Sequence, residues 1–237
     1  MNYSLYLIFG LVPSIIWLLF YLRKDVHPES NRMILKIFFY GMLVAIPAAL
    51  IELGFFQETI KLNLSPFLIS ILNIFVGVAL VEEVLKYLVV KKKVLNNPEF
   101  DEPLDAMLYM IIAALGFVAL ENILIFLSPK VFFLEIGETL TLAGFRFISA
   151  TFLHALCSGM IGYFLALSFF ETKRRNIWLI TGLSSAIILH GLYNFSIMEI
   201  EGSLKFIIPI IILVSLAVFV SFGFKRLKKL KSVCKIK

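Results

Sequence analysis

Apolar residues in this chain come in long blocks. Seven such runs, at about 3–22, 34–55, 66–90, 104–127, 146–170, 177–198 and 204–224, are separated by short polar stretches. As a helix, each could cross a hydrocarbon core of roughly 30 Å. Within lipid, backbone amides must be satisfied internally, which leaves only helices or a closed barrel as spanning structures. The runs are about twice a barrel strand in length and do not alternate polar with apolar, so helices are predicted. The expected fold is an all-α, polytopic transmembrane helical bundle of about seven spans. Between the fourth and fifth runs, KVFFLEIGETL (130–140) reads as a short interfacial or re-entrant piece. One membrane domain, 1–224, accounts for the chain; its chemistry-bearing core is 66–198, and a basic tail occupies 225–237.

Composition agrees with this picture. The 237 residues are 60% hydrophobic and only 16% charged, too few to give a soluble domain a polar surface. Seventeen basic residues fall on one side of the predicted bundle, against Lys61, Lys130 and Lys205 on the other. The positive-inside rule therefore puts the N-terminus outside and the tail in the cytoplasm, in a multi-pass plasma-membrane protein. The net charge of +6 reflects that topology. The tail KRLKKLKSVCKIK is expected to touch anionic headgroups of the bilayer, and no nucleic-acid partner is expected. The first run has no basic residues before it and no small-residue cleavage site after it, so it reads as a retained helix rather than a signal peptide. Cys157 falls mid-membrane and Cys234 in the tail, so no disulfide framework is implied.

Ionisable groups then change the picture. Each costs roughly 2.5–3.5 kcal/mol at the centre of a spanning helix, so they persist where they pair, face the bundle interior or do chemistry. The runs carry Glu52, Glu82, Glu83, Lys86, Glu121, Asn122, Arg146, His154, His190 and Asn194. In VEEVLKY, Glu82 and Lys86 stand at i and i+4 and Glu83 and Lys86 at i and i+3, so either carboxylate can pair with the lysine. The bland reading is a charge pair between helices; a second carboxylate suggests a proton acceptor as well. GFVALEN supplies Glu121 and Asn122, either an interhelical clamp or part of a site. In FDEPLDA, Asp101, Glu102 and Asp105 fit helix capping. His190 and Asn194 share a helix face. By depth, counted at about 1.5 Å per residue, Glu82 lies shallower than Glu121, His154 and His190, a gap that a longer third helix would close.

Water attack on a peptide bond needs a base, an orienting group and oxyanion donors. Glu82 or Glu83 can be the base, His154 the orienting partner, and His190 with Asn194 the donors. Lys86, Glu121 and Asn122 would support them. No HExxH occurs, no aspartate lies mid-membrane, and LCSG stands in place of GxSG. Ser158 or Cys157 with His190 is a formal nucleophile option. Zinc held by His154, His190 and Glu82 is an alternative to a metal-free site. The competing class is a non-catalytic transporter or scaffold, with the charges strung along an ion path.

The order EExxK, FDEPLDAxxYxxxxxLGFxxxEN, HAxxSGxxGY and HGxxNF, over Val81 to Phe195, resembles the PrsW family of intramembrane proteases, related to the CAAX- and bacteriocin-processing (CPBP) proteases. The resemblance implies a glutamate-dependent intramembrane endopeptidase with no cofactor, and the zinc site of His154, His190 and Glu82 stays as the alternative. Glu82 and Glu83 would form the base site, His154 the helix-five histidine, and His190 and Asn194 the oxyanion pair. The implied substrate is a single-pass membrane protein, with anti-sigma factors as a suggested class. EExxK in place of EExxxR, and Ala150 where FxxxH would begin, favour the PrsW-like branch over prenyl-protein processing. Ala106 and Met110 stand where that family often has glycine.

Overall fold

The computed structural model describes residues 3–25, 27–132 and 134–230, and no strand occurs among them. Seven helical stretches are long and apolar enough to cross a membrane. They are α1 (Tyr3–Leu22), α2 (Asn31–Thr59), a composite third span, α5 (Pro103–Leu127), a composite fifth span, α9 (Arg175–Glu199) and α10 (Leu204–Leu227). The third span joins α3 (Pro66–Ile71), a π-helical segment (Leu72–Leu80) and α4 (Val81–Lys93). The fifth joins α7 (Ile136–Ile148) to α8 (Ala150–Phe170), and the single turn α6 (Pro129–Phe132) precedes it.

Two boundaries differ from the hydropathy reading. The third span runs on to Lys93, which narrows the depth gap for Glu82. The fifth helical stretch begins at Ile136, ten residues earlier than 146, so Ile136–Leu140 of KVFFLEIGETL forms the first part of helix α7, which is exposed along most of its length. Its start is a reciprocal cap built from acids: the Glu138 carboxylate accepts from the Glu135 N–H at 3.1 Å, and the Glu135 side chain caps in return. At Ser149 the helix bends, where the hydroxyl donates to the Phe145 carbonyl at 2.6 Å. Cys234 and the basic residues Lys231, Lys235 and Lys237 lie outside the described residues.

Helix α5 is the central post. It is apolar all round and buried almost without interruption from Pro103 to Ala119, with α1, α2, α8 and α10 packed on it. Lipid tails are as apolar as leucine, so helices associate here by close packing and hydrogen bonds. Small residues make that approach possible. A methyl group at Gly116 would overlap the Phe38 carbonyl of α2, and one at Gly41 the Ala113 carbonyl of α5. The start of α5 is held by Asp105, whose carboxylate accepts from the N–H groups of Asp101 (2.9 Å) and Glu102 (2.7 Å).

Gly116→Val should therefore cost about 1–3 kcal/mol through overpacking, read as a lowered Tm in detergent. Gly54→Ala, where nothing lies within 4 Å, is the control and should leave the Tm unchanged or slightly raised. Equal Tm values for the two variants would show that the α2–α5 crossing tolerates separation.

Candidate active site

The π-helical segment ends two residues before Glu82. Its wider turns rotate α4 relative to a continuous α-helix, and such turns are frequent at functional sites. Both carboxylates of VEEVLKY thereby face the bundle, with Glu82 and Glu83 buried together with Lys86.

An ammonium has three donors and no acceptor. Lys86 Nζ uses all three: on Glu83 Oε1 at 2.7 Å, on Glu82 Oε2 at 3.3 Å and on His154 Nδ1 at 2.8 Å, with the Phe117 ring face 4.7 Å away. The lysine thus joins both glutamates rather than choosing one. Because it can only donate, His154 Nδ1 is an acceptor and the neutral ring carries its proton on Nε2, which lies 3.0 Å from Glu121 Oε2.

Partner counts separate the two glutamates. Glu83 is fully enclosed: Oε1 accepts from Lys86 and from His190 Nδ1 (2.9 Å), and Oε2 accepts from the Ser158 hydroxyl (3.2 Å). Glu82 has the longer Lys86 contact at 3.3 Å, lies 3.5 Å from His154 Nδ1, and lines a cavity that Glu83 does not reach. Ser158 is spent on Glu83, and Cys157 is buried, so neither lines that cavity as a nucleophile would.

The cavity has a volume of about 760 Å³. Its polar lining is Glu52, Glu82, Glu121, Ser128, Arg146, His154, His190, Tyr193 and Asn194, with Leu53, Phe56 and Ile197 among its apolar walls. Such a mix of apolar walls and a few convergent polar groups is typical of a ligand site. The two imidazoles meet edge to face, with ring centroids 4.9 Å apart. Glu83 is acceptor-only, so His190 Nδ1 holds a proton and the ring's other nitrogen, Nε2, is left for the cavity.

The sequence named Arg146 among the ionisable groups of the spans without giving it a role, and offered Ser158 only as a nucleophile. Arg146 Nε donates to Asn122 Oδ1 (2.5 Å) and Nη2 to Glu121 Oε1 (2.7 Å), while Asn122 Nδ2 donates to Thr151 (3.2 Å). Glu121 and Asn122 are thus tied to the fifth span, with Arg146 facing the cavity. Ser158 lies four residues after His154, on the same helix face, and that HxxxS spacing was the available signal. Formally, four carboxylates (Glu52, Glu82, Glu83, Glu121) face two cations (Lys86, Arg146). Short bonds pair Glu83 and Glu121, leaving Glu52 and Glu82 in excess, and of these Glu82 is the one beside the histidines. These groups gather at one cavity or directly behind it instead of being strung along a path, as ion transport would require.

The family described as "PrsW family intramembrane metalloprotease" matches residues 29–222. The chain belongs to the PrsW family. It is therefore an intramembrane protease, embedded as a multi-pass membrane protein. It is 30% identical to Protease PrsW of Geobacillus kaustophilus over 193 residues, covering 81% of this chain and 79% of that protein. Protease PrsW of Bacillus subtilis is 27% identical over 226 residues, 94% of each chain, and that of Clostridioides difficile is 25% identical over 203 residues, 84% of this chain and 81% of its own. No solved structure matches the chain.

The family description names a metal, and Glu82, Glu83, His154 and His190 each bring a ligand atom within 4.8 Å of the others. Yet a cation already holds that centre. Lys86 Nζ takes the lone pair of His154 Nδ1 and shares Glu83 Oε1, and His154 Nε2 faces Glu121. A divalent ion about 5 Å from this ammonium would meet a repulsion on the order of 7 kcal/mol at an effective dielectric constant near 20. Glu82 and His190 Nε2 remain as free donors and Glu83 Oε2 keeps one lone pair beside the Ser158 hydroxyl, so the three protein ligands of a catalytic zinc would be reached only with the ion set against the ammonium. The arrangement does not fit the metal.

Proposed function

We propose that this PrsW-family protein hydrolyses a peptide bond in or near the spanning segment of a single-pass plasma-membrane protein, by water that Glu82 activates. The carrying observation is the asymmetry of the paired acids: Glu83 is consumed by Lys86, His190 and Ser158, while Glu82 faces the cavity with capacity to spare. Glu82 takes a proton from water as its oxygen bonds to the carbonyl carbon. It then returns that proton to the leaving nitrogen as the C–N bond breaks. His190 Nε2 accepts a second hydrogen bond from the same water and fixes its direction, with Glu83 holding the ring. Asn194 and Arg146 line the cavity and supply the donors for the developing oxyanion. Lys86 with His154 holds Glu82 in place. Anti-sigma factors, which are single-pass proteins, are the substrate class to try first.

This reading predicts a protease that works without metal. In proteoliposomes with a tagged single-pass anti-sigma factor, a strong zinc chelator should leave the cleavage rate unchanged. Loss of cleavage that added zinc restores would favour the His154/His190/Glu82 zinc site and displace the glutamate mechanism.

A further inference from the structure

A second cavity, of about 800 Å³, lies apart from the protease site between α1, α10 and the bend of the fifth span. This volume is within the range of roughly 300–1,000 Å³ typical of small-molecule sites. Its walls are aromatic. Trp17 stacks on Phe152 with centroids 4.2 Å apart, and its indole N–H is fixed on the Phe147 carbonyl at 3.1 Å. Phe20 and Phe224 continue the apolar lining towards the ends of α1 and α10. There Lys24, Lys225 and Lys228 bring three exposed ammonium groups to the mouth, and no acid lines it among the described residues. The nearest acid in sequence, Asp25, accepts from the His27 N–H at 3.1 Å. Arg226, between two of these lysines, is turned away onto the Tyr163 hydroxyl at 2.7 Å.

We propose that this groove is a headgroup-selective site for one anionic phospholipid. An acyl chain lies along Trp17 and Phe152, and the phosphate is held by Lys24, Lys225 and Lys228. Charge complementarity singles out this occupant. Any lipid could fill an apolar groove, but three lysines lining it, with no acid in the lining among the described residues, discriminate an anionic headgroup from a zwitterionic one. The site is distinct from the general attraction of a basic surface for the membrane, because it joins the charges to a shaped apolar slot.

The chain has two tryptophans, so Trp178→Phe leaves Trp17 as a reporter inside the groove. Full-length protein is placed in phosphatidylcholine vesicles containing equal mole fractions of brominated phosphatidylglycerol or brominated phosphatidylcholine, and quenching of Trp17 is compared. Brominated phosphatidylglycerol should quench more strongly, and its preference should fall about fivefold for each of Lys24, Lys225 and Lys228 replaced by glutamine. Lys91→Gln with Lys92→Gln, on the third span, should leave the preference intact. Equal quenching by both headgroups would overturn the proposal, as would a preference that the Lys91/Lys92 pair lowers as much as the groove lysines do. Displacement of the brominated lipid by an acidic peptide at lower concentration than by unlabelled phosphatidylglycerol would also overturn it, in favour of a protein partner.

Discussion

Glu82→Gln is expected to reduce cleavage by about 10²–10⁴-fold while leaving the Tm close to that of the parent protein. The amide has the shape of the carboxylate but cannot take a proton from water. Little structure should be lost, because among the described residues Glu82 is held only by the long 3.3 Å bond from Lys86 and a 3.5 Å approach of His154. Glu83→Gln should behave differently. It replaces a charge that receives Lys86, His190 and Ser158 in a fully buried position, so stability and activity should fall together. Rates on a tagged single-pass substrate, paired with thermal unfolding of each variant, separate the two. Full turnover by Glu82→Gln beside a folded but inactive Glu83→Gln would reverse the assignment of the base.

Lys86→Met should be among the most destabilising single changes, at about 3–5 kcal/mol, because it leaves buried carboxylates without their cation. The ammonium is wholly buried and is the common partner of Glu82, Glu83 and His154. Its loss should also lower activity by releasing Glu82. The double variant Lys86→Met/Glu83→Gln removes one charge of each sign and should recover a large part of the lost stability, so the two changes will not add. Thermal unfolding of the four members of this cycle gives the coupling. A Lys86→Met protein within about 0.5 kcal/mol of the parent would mean that the ammonium does not organise the site.

Seven spans and the ionisable residues inside them were legible in the sequence, because lipid imposes a local rule on each segment. That rule needs no knowledge of neighbours. Residue types at Glu82, Glu83, His154, His190 and Asn194 also carried the resemblance to PrsW proteases, and all five lie at or directly behind one cavity. The start of helix α7 at Ile136 was not legible because its cap uses glutamates in place of the usual Ser, Thr, Asn or Asp.

Pairing was decided by tertiary structure. Spacing allowed Lys86 to reach either glutamate, and the fold gave it both. It turned Glu83 inward to His190 and Ser158, left Glu82 on the cavity, and brought Arg146 of the fifth span onto Glu121 and Asn122. The lysine groove between α1 and α10 joins residues about two hundred positions apart in the chain. Hydropathy is a property of each segment in its solvent, so the chain alone determines which segments enter the bilayer. Which side chains meet depends on helix rotation, on the π-helical turn before Glu82 and on the glycine crossings around α5, and only the packed bundle sets these.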